Sequence, residues 1–234
     1  EGMRLKQAPS GCMRNAASSG DAASAPTNFV RRLRGRPDHS TMTQRINVGI
    51  LGFGTVGTGV ARALLEKRRL LEERVGARIV LRRVCDKDFR RRRGLRLSPA
   101  LTTSDPAKIL RDPDIHIVVE LIGGLQPAKM LILEALRRGK HVVTANKALL
   151  AHDGKELFAA AARTNVDLYF EASVGGGIPI IKALREGLIG NELDAILGIV
   201  NGTSNYILTQ MREKRLSFHE ALLEAKHHGY AERN

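Results

Sequence analysis

The chain has 234 residues, 43% of them hydrophobic, enough to bury a sizeable core and too many for a fibrous or wholly disordered composition. No apolar run is as long as a membrane span, and the two cysteines, Cys12 and Cys85, lie far apart without a C-x-x-C pair, which argues against a disulfide scaffold or zinc site and fits a reducing, cytoplasmic setting. The formal charge of +14 is concentrated locally: residues 62–96 hold 14 Lys or Arg against 5 Asp or Glu, with no zinc-finger spacing and no aromatic-laced pattern, so a solvated surface that attracts an anionic cofactor is expected rather than a nucleic-acid interface.

Residues 1–43 are rich in Ala, Ser, Gly, Pro and Arg and lack a hydrophobic period, so they read as a disordered extension that the fold does not need. The first strong signal is Ile46 to Gly57, a short Ile, Val and Leu run entering a Gly-x-Gly-x-x-Gly turn. Val56, Val60, Ala61, Leu64 and Leu65 follow at helical spacing. In that setting Gly52 permits the tight turn, Gly54 lets the backbone approach a pyrophosphate, and Gly57 lets helix and strand pack closely. The free N–H groups of the helix start then face the anion.

Alternation of strand and helix follows. Ile79 to Cys85 reads as a strand ending at Asp86, and Ser104-Asp105-Pro106 as a helix start. Ile115 to Ile122 is a near-continuous apolar run, the pattern of a strand covered on both faces, closed by Gly123-Gly124. Pro127 to Arg138 reads as a helix and Lys140 to Thr144 as a strand. Asp153-x-x-Glu156 reads as a capping box for a helix to about Arg163, and Asp167 to Glu171 as a further strand. These units predict a doubly wound, Rossmann-type parallel sheet over residues 44–172, with its ligand crevice beyond the carboxyl ends of the strands.

From Gly175 the pattern changes. Gly175-Gly176-Gly177-Ile178-Pro179 breaks the alternation, a helix is expected from Pro179 to Glu186, and Ala195 to Val200 reads as a strand. Ser217-x-x-Glu220 caps a last helix that stops near Gly229. Residues 173–234 are therefore taken as the start of an α+β substrate-binding and dimerisation domain.

Hydride transfer to a nicotinamide needs a group for the alcohol proton, and Lys147, after the strand end Thr144-Ala145-Asn146, is the candidate, since a partly desolvated lysine can serve as an acid or base near neutrality. Position alone leaves a surface lysine equally admissible. Glu120 sits in an apolar strand, so it is either at a site or satisfied by backbone N–H groups. Glu171 beside the glycine run could hold a hard cation, with a tight metal-free loop as the simpler reading. Asp86 could accept from ribose hydroxyls and favour NAD, whereas Arg90 to Arg93 could neutralise a 2′-phosphate and favour NADP. The seven histidines form no H-E-x-x-H or Ser-His-Asp arrangement and read as structural or solvated.

Taken together, GFGTVG (52–57), VVELIGG (118–124), GKHVVTANKALL (139–150), EASVGGGIPII (171–181), NGTSNYIL (201–208) and GYAE (229–232) resemble homoserine dehydrogenase, in the family's order. The resemblance implies an NAD(P)-dependent interconversion of L-homoserine and L-aspartate 4-semialdehyde in the pathway to threonine, methionine and isoleucine. It implies cofactor binding by Gly52, Phe53, Gly54, Thr55, Val56 and Gly57, with Lys147 beside cofactor and substrate, Gly229 near the nicotinamide and Glu232 on the amino acid. A sodium-like cation would be held by Glu171 and the carbonyls of Val174, Gly176 and Ile178, and a homodimer would form through the second domain. The family's acidic DxxGxD-type segment and following lysine would come after GYAE, and the sequence stops at Asn234, so a truncated chain is expected. The alternative is a dinucleotide-binding pseudoenzyme.

Overall fold

A computed structural model describes residues 44–90, 94–199 and 201–231; the expected extension and Glu232 lie outside them. Six parallel strands form one sheet in the order β3-β2-β1-β4-β5-β6. They are β1 (Arg45–Leu51), β2 (Arg78–Cys85), β3 (Thr102–Thr103), β4 (Ile117–Glu120), β5 (His141–Thr144) and β6 (Leu168–Tyr169). The order reverses between β1 and β4, which is the Rossmann arrangement and opens a crevice beyond the ends of those two strands.

Both faces of the sheet are covered, which explains the unbroken apolar runs. Val118 and Leu51 point to a layer that includes Ile132, Leu136, Leu149 and Leu157, whereas Ile117, Val119 and Ile50 point to one with Phe53, Ala61 and Val84. Alternate residues of a strand face opposite sides, so a strand with two apolar layers has no polar period. The first layer is built by α3 (Ala107–Leu110), α4 (Ala128–Arg137) and α5 (Lys147–Arg163). The second is built by α1 (Thr55–Glu66), followed by α2 (Arg68–Val75). α1 buries Gly57, Thr58 and Ala61, a narrower stripe than expected, and leaves Val56 and Leu65 exposed.

Several elements differ from expectation. β4 is shorter than Ile115 to Ile122, because β1 and β5 flank only Ile117–Glu120 and the chain turns away at Leu121. Likewise β6 covers only Leu168–Tyr169 and gives way to a 3-10 turn, Glu171–Ser173, instead of running to Glu171. Asp153 and Glu156 do not cap a helix. They lie within α5 and pair with Lys129 Nζ of α4 at 2.7 and 2.8 Å, while Asn146 caps α5 through a bond from Leu149 N–H.

The expected helix after Pro179 appears as α6 (Ile180–Lys182), continued by a wider π turn at Ala183–Gly187. Residues 195–199 form no strand. A strand needs a neighbour for its backbone groups, and this segment has none among the described residues; Ile196, Leu197 and Ile199 stay exposed. Next come α7 (Gly202–Glu213) and α8 (Phe218–His227), a pair packed around Ile207, Ala221 and Ala225. α8 starts at the expected Ser217–Glu220 capping box and stops at His227, with His228 as its cap and then Gly229, whose φ of 75° suits glycine.

Candidate active site

The glycine turn joins β1 to α1. Gly52 has φ of 99°, and its N–H donates to Cys85 O at 2.8 Å, tying the turn to the end of β2. A side chain at Gly57 is impossible in place: a Cβ there would lie 2.1 Å from Gly52 O. Gly54 is the opposite case. It caps α1 without a side-chain bond, and a Cβ added to it meets nothing within 4 Å. Thr58 N–H closes the first helical turn on Gly54 O, so the N–H groups of Thr55, Val56 and Gly57 have no helical acceptor. Gly54, Thr55 and Val56 are exposed while Phe53 is buried against Phe89. The turn thus has an inner side that packs and an outer side of open backbone donors, the form of a phosphate cradle.

Asp86, one residue past β2, shapes this turn directly. Its Oδ2 accepts Phe53 N–H at 2.6 Å and its Oδ1 accepts Asp88 N–H at 2.8 Å. Burial, then the neighbouring charges of Asp105 and Asp86, push the nearby Cys85 thiol up to about 11, so it stays a neutral core side chain.

Across the crevice, Glu120 is fully buried at the end of β4. Its Oε1 accepts Ile122 N–H at 2.8 Å and Gly123 N–H at 3.2 Å, and its Oε2 accepts the Thr144 hydroxyl at 2.7 Å. The backbone-satisfied reading of Glu120 therefore describes its contacts. Lys147 is the first residue of α5, directly after the Asn146 cap, and is exposed rather than partly desolvated. Asn146 also donates from Nδ2 to Gly124 O at 2.7 Å, and the Ser173 hydroxyl donates to Thr144 O at 3.0 Å. Thr144, Asn146 and Ser173 were not singled out from sequence. An Asn just before a helical period is a capping signal that marks Asn146, but no local pattern pairs Thr144 with Glu120.

Glu171 lies beyond β6, where its two carboxylate oxygens accept Ile181 N–H at 2.9 Å and Lys182 N–H at 2.8 Å. The following run bends at Gly175 and Gly177, with φ of 57° and 85°. Gly229 is set apart in the α7–α8 pair, where the Thr203 hydroxyl donates to Tyr230 O. Among the described residues no hydrogen bond or ion pair joins that pair to the crevice. A cavity of about 380 Å³ lies elsewhere, against β6, lined by Phe158, Leu168, Phe170 and Arg185, and no predicted site residue borders it.

Residues 52–171 match the family model for the homoserine dehydrogenase NAD-binding domain, and residues 179–234 match the model for homoserine dehydrogenase. The chain belongs to the homoserine dehydrogenase family. It is 48% identical over 187 residues to the homoserine dehydrogenase of Neisseria gonorrhoeae and 43% identical over 187 residues to that of Bacillus subtilis. In each comparison 80% of this chain is covered and 43% of the relative, so the chain spans less than half the length of these relatives. A crystal structure of the homoserine dehydrogenase from Thiobacillus denitrificans superposes with a TM-score of 0.76 at 47% identity, covering 82% of this chain and 44% of that one. A hyperthermophilic archaeal homoserine dehydrogenase in complex with NADPH superposes with a TM-score of 0.67 at 28% identity, covering 82% and 63%.

Proposed function

We propose that this chain carries the dinucleotide-binding part, and the beginning of the substrate-binding part, of an NAD(P)-dependent homoserine dehydrogenase interconverting L-homoserine and L-aspartate 4-semialdehyde. The open, uncapped start of α1 at Gly54, Thr55 and Val56 is the observation that carries the reading, because it supplies donors for a pyrophosphate and leaves space for it. Gly52 and Gly57 make that geometry, and Phe53 anchors it to the core. When bound, the nicotinamide supplies the hydride acceptor or donor.

The chain's own residues then have separable tasks. Asp86 at the end of β2 would read ribose hydroxyls, and the arginines after it would favour a 2′-phosphate, so both NAD and NADP are admitted. Lys147, at the carboxyl end of β5, is assigned to the proton of the substrate hydroxyl. Gly229 is assigned to the nicotinamide end and Glu232 to the amino acid. For a sodium-like ion, Glu171 and the carbonyls of Val174, Gly176 and Ile178 offer one carboxylate among neutral oxygens, a set suited to a hard, singly charged cation. The Glu171 carboxylate already accepts two amide N–H groups, so the carbonyls would carry most of the coordination. Exposed Ile189, Ile196, Leu197 and Ile199 support a homodimer that covers this stretch. No described helix is long and apolar enough to cross a membrane.

The test is L-homoserine-dependent reduction of NAD and NADP, followed by nicotinamide absorbance, on this chain and on one extended through the remaining length of its relatives. Turnover by the extended chain is expected. An extended chain that binds the dinucleotide and never oxidises homoserine would be a pseudoenzyme and would refute the proposal.

A further inference from the structure

Glu120 is costly to bury, and a strand wholly inside a two-layer core has no need of a carboxylate. Its surroundings give it a task. All three of its partners donate: Ile122 N–H and Gly123 N–H to Oε1, and the Thr144 hydroxyl to Oε2. Because Thr144 directs its proton to Glu120, its oxygen is left to accept, and it accepts Asn146 N–H at 3.0 Å. Asn146 in turn holds Gly124 O through Nδ2 and caps α5 through Oδ1, which accepts Leu149 N–H at 3.1 Å. The chain of bonds closes on itself: it leaves Glu120 for the Gly123-Gly124 turn in one direction, and returns to that turn through Thr144 and Asn146 in the other.

Lys147, from the proposed function, and the Gly123-Gly124 turn both hang on this ring. Lys147 is the residue after the Asn146 cap, so the direction of its backbone is set by the cap. Gly123 and Gly124 have φ of 80° and 71°, and a Cβ on either meets nothing within 4 Å, so the turn presents bare backbone to open space. Both belong to the β4–β6 half of the sheet, the second mononucleotide half, where the nicotinamide lies when the pyrophosphate sits on the first glycine turn.

We propose that Glu120 is a positioning residue that holds the Gly123-Gly124 turn and the amino end of α5, and through them Lys147, in register with the nicotinamide. This rests on the dinucleotide reading above. Glu120 touches neither cofactor nor substrate; it acts through Thr144 and Asn146. A Gln in its place keeps size and shape but has a single acceptor oxygen, so either the two N–H groups of the turn or the Thr144 proton loses its partner.

The experiment titrates the chain and its E120Q, T144V and K147A variants with NADPH and NADH, and with 2′-phospho-ADP-ribose and ADP-ribose, which lack the nicotinamide ring. Binding of a reduced dinucleotide by the parent chain establishes the underlying reading, and absence of all binding overturns it together with this proposal. Given binding, E120Q weakens the reduced dinucleotide roughly tenfold and the ring-less fragments by less than about twofold, the scale of one lost charge-assisted hydrogen bond confined to one end of the ligand. In the K147A background E120Q causes a smaller loss than in the parent, because the part carried through Lys147 is already gone. Equal weakening of fragment and dinucleotide, or full additivity with K147A, overturns the proposal. Should E120Q fail to fold, T144V, which exchanges the hydroxyl for a methyl group and so removes its bonds to Glu120 and Asn146, is expected to give the same split, and unchanged dinucleotide affinity in T144V overturns it.

Discussion

Gly57 and Gly54, three residues apart in one turn, are expected to fail in opposite ways when a side chain is added. In Gly57→Ala the new Cβ would stand 2.1 Å from Gly52 O, a backbone atom that no side-chain rotation can move aside. α1 must then shift away from β1 and loosen the packing of Ala61 against the layer around Ile50 and Val84. Overpacking of this kind costs about 3 kcal/mol at the upper end, and replacing a helical glycine by alanine returns about 1 kcal/mol, leaving a net loss of about 2 kcal/mol. For a domain of this size that lowers the melting temperature by roughly 4–8 °C. A Cβ at Gly54 meets nothing within 4 Å, so Gly54→Val should melt like the parent, yet its branched side chain fills the space proposed for the pyrophosphate. Its affinity for NADPH should fall at least about tenfold, or about 1.4 kcal/mol. Thermal unfolding by circular dichroism and a fluorescence titration with NADPH separate the two outcomes. Parent-like melting of Gly57→Ala, or parent-like affinity of Gly54→Val, would refute the division of the turn into a packing side and a ligand side.

Three further outcomes are expected. In the extended chain, Lys147→Ala should lower turnover with homoserine by at least about a hundredfold, the usual scale for losing a general acid or base, and steady-state kinetics checks it. Lys140 is buried, with its Nζ donating to Asp112 O at 2.6 Å and Ile115 O at 2.7 Å; Lys140→Met strips both carbonyls of a donor and should cost about 2 kcal/mol in urea unfolding. His116 Nδ1 accepts Asn47 N–H at 3.0 Å, and burial, with the charge of Lys140 adding to it, lowers its pKa below the ordinary 6.5. The unfolded chain therefore takes up this proton first. The stabilising contribution is complete above pH 6.5 and is lost as pH falls from there through the folded-state value. Urea midpoints at neutral and mildly acid pH should show a steeper acid loss in the parent than in His116→Ala, and equal slopes would sink the idea.

Much of this architecture was legible because its signals are local. The Gly-x-Gly-x-x-Gly turn, the strand into Cys85, the helix after Pro127 and the Ser217 capping box each depend on neighbours within a few residues. The errors are of another kind. The run Ile115 to Ile122 looks like strand throughout, because burial continues past the last paired residue; where pairing stops depends on β1 and β5. Asp153 and Glu156 have capping-box spacing, but their partner Lys129 sits on another helix. At the site, Glu120 stood out as a carboxylate in an apolar run, whereas Thr144 and Ser173 are ordinary residues whose roles exist only once β4, β5 and the turn after β6 are side by side. The segment around Ala195 has the composition of a strand, but pairing needs a second chain segment and its own residues cannot supply one.

The bond from Phe53 N–H to Asp86 has a consequence for how cofactor preference can change in this lineage. An acidic side chain after the second strand is the natural place to trade one nucleotide for the other, since removing its charge makes room for a phosphate. Here the same carboxylate is a strut of the glycine turn, so neutralising or shortening it would disturb the proposed pyrophosphate site along with the proposed ribose contact. Under the proposed reading, a change of dinucleotide is expected at the basic residues that follow Asp86 in the sequence, where a substitution leaves that bond in place.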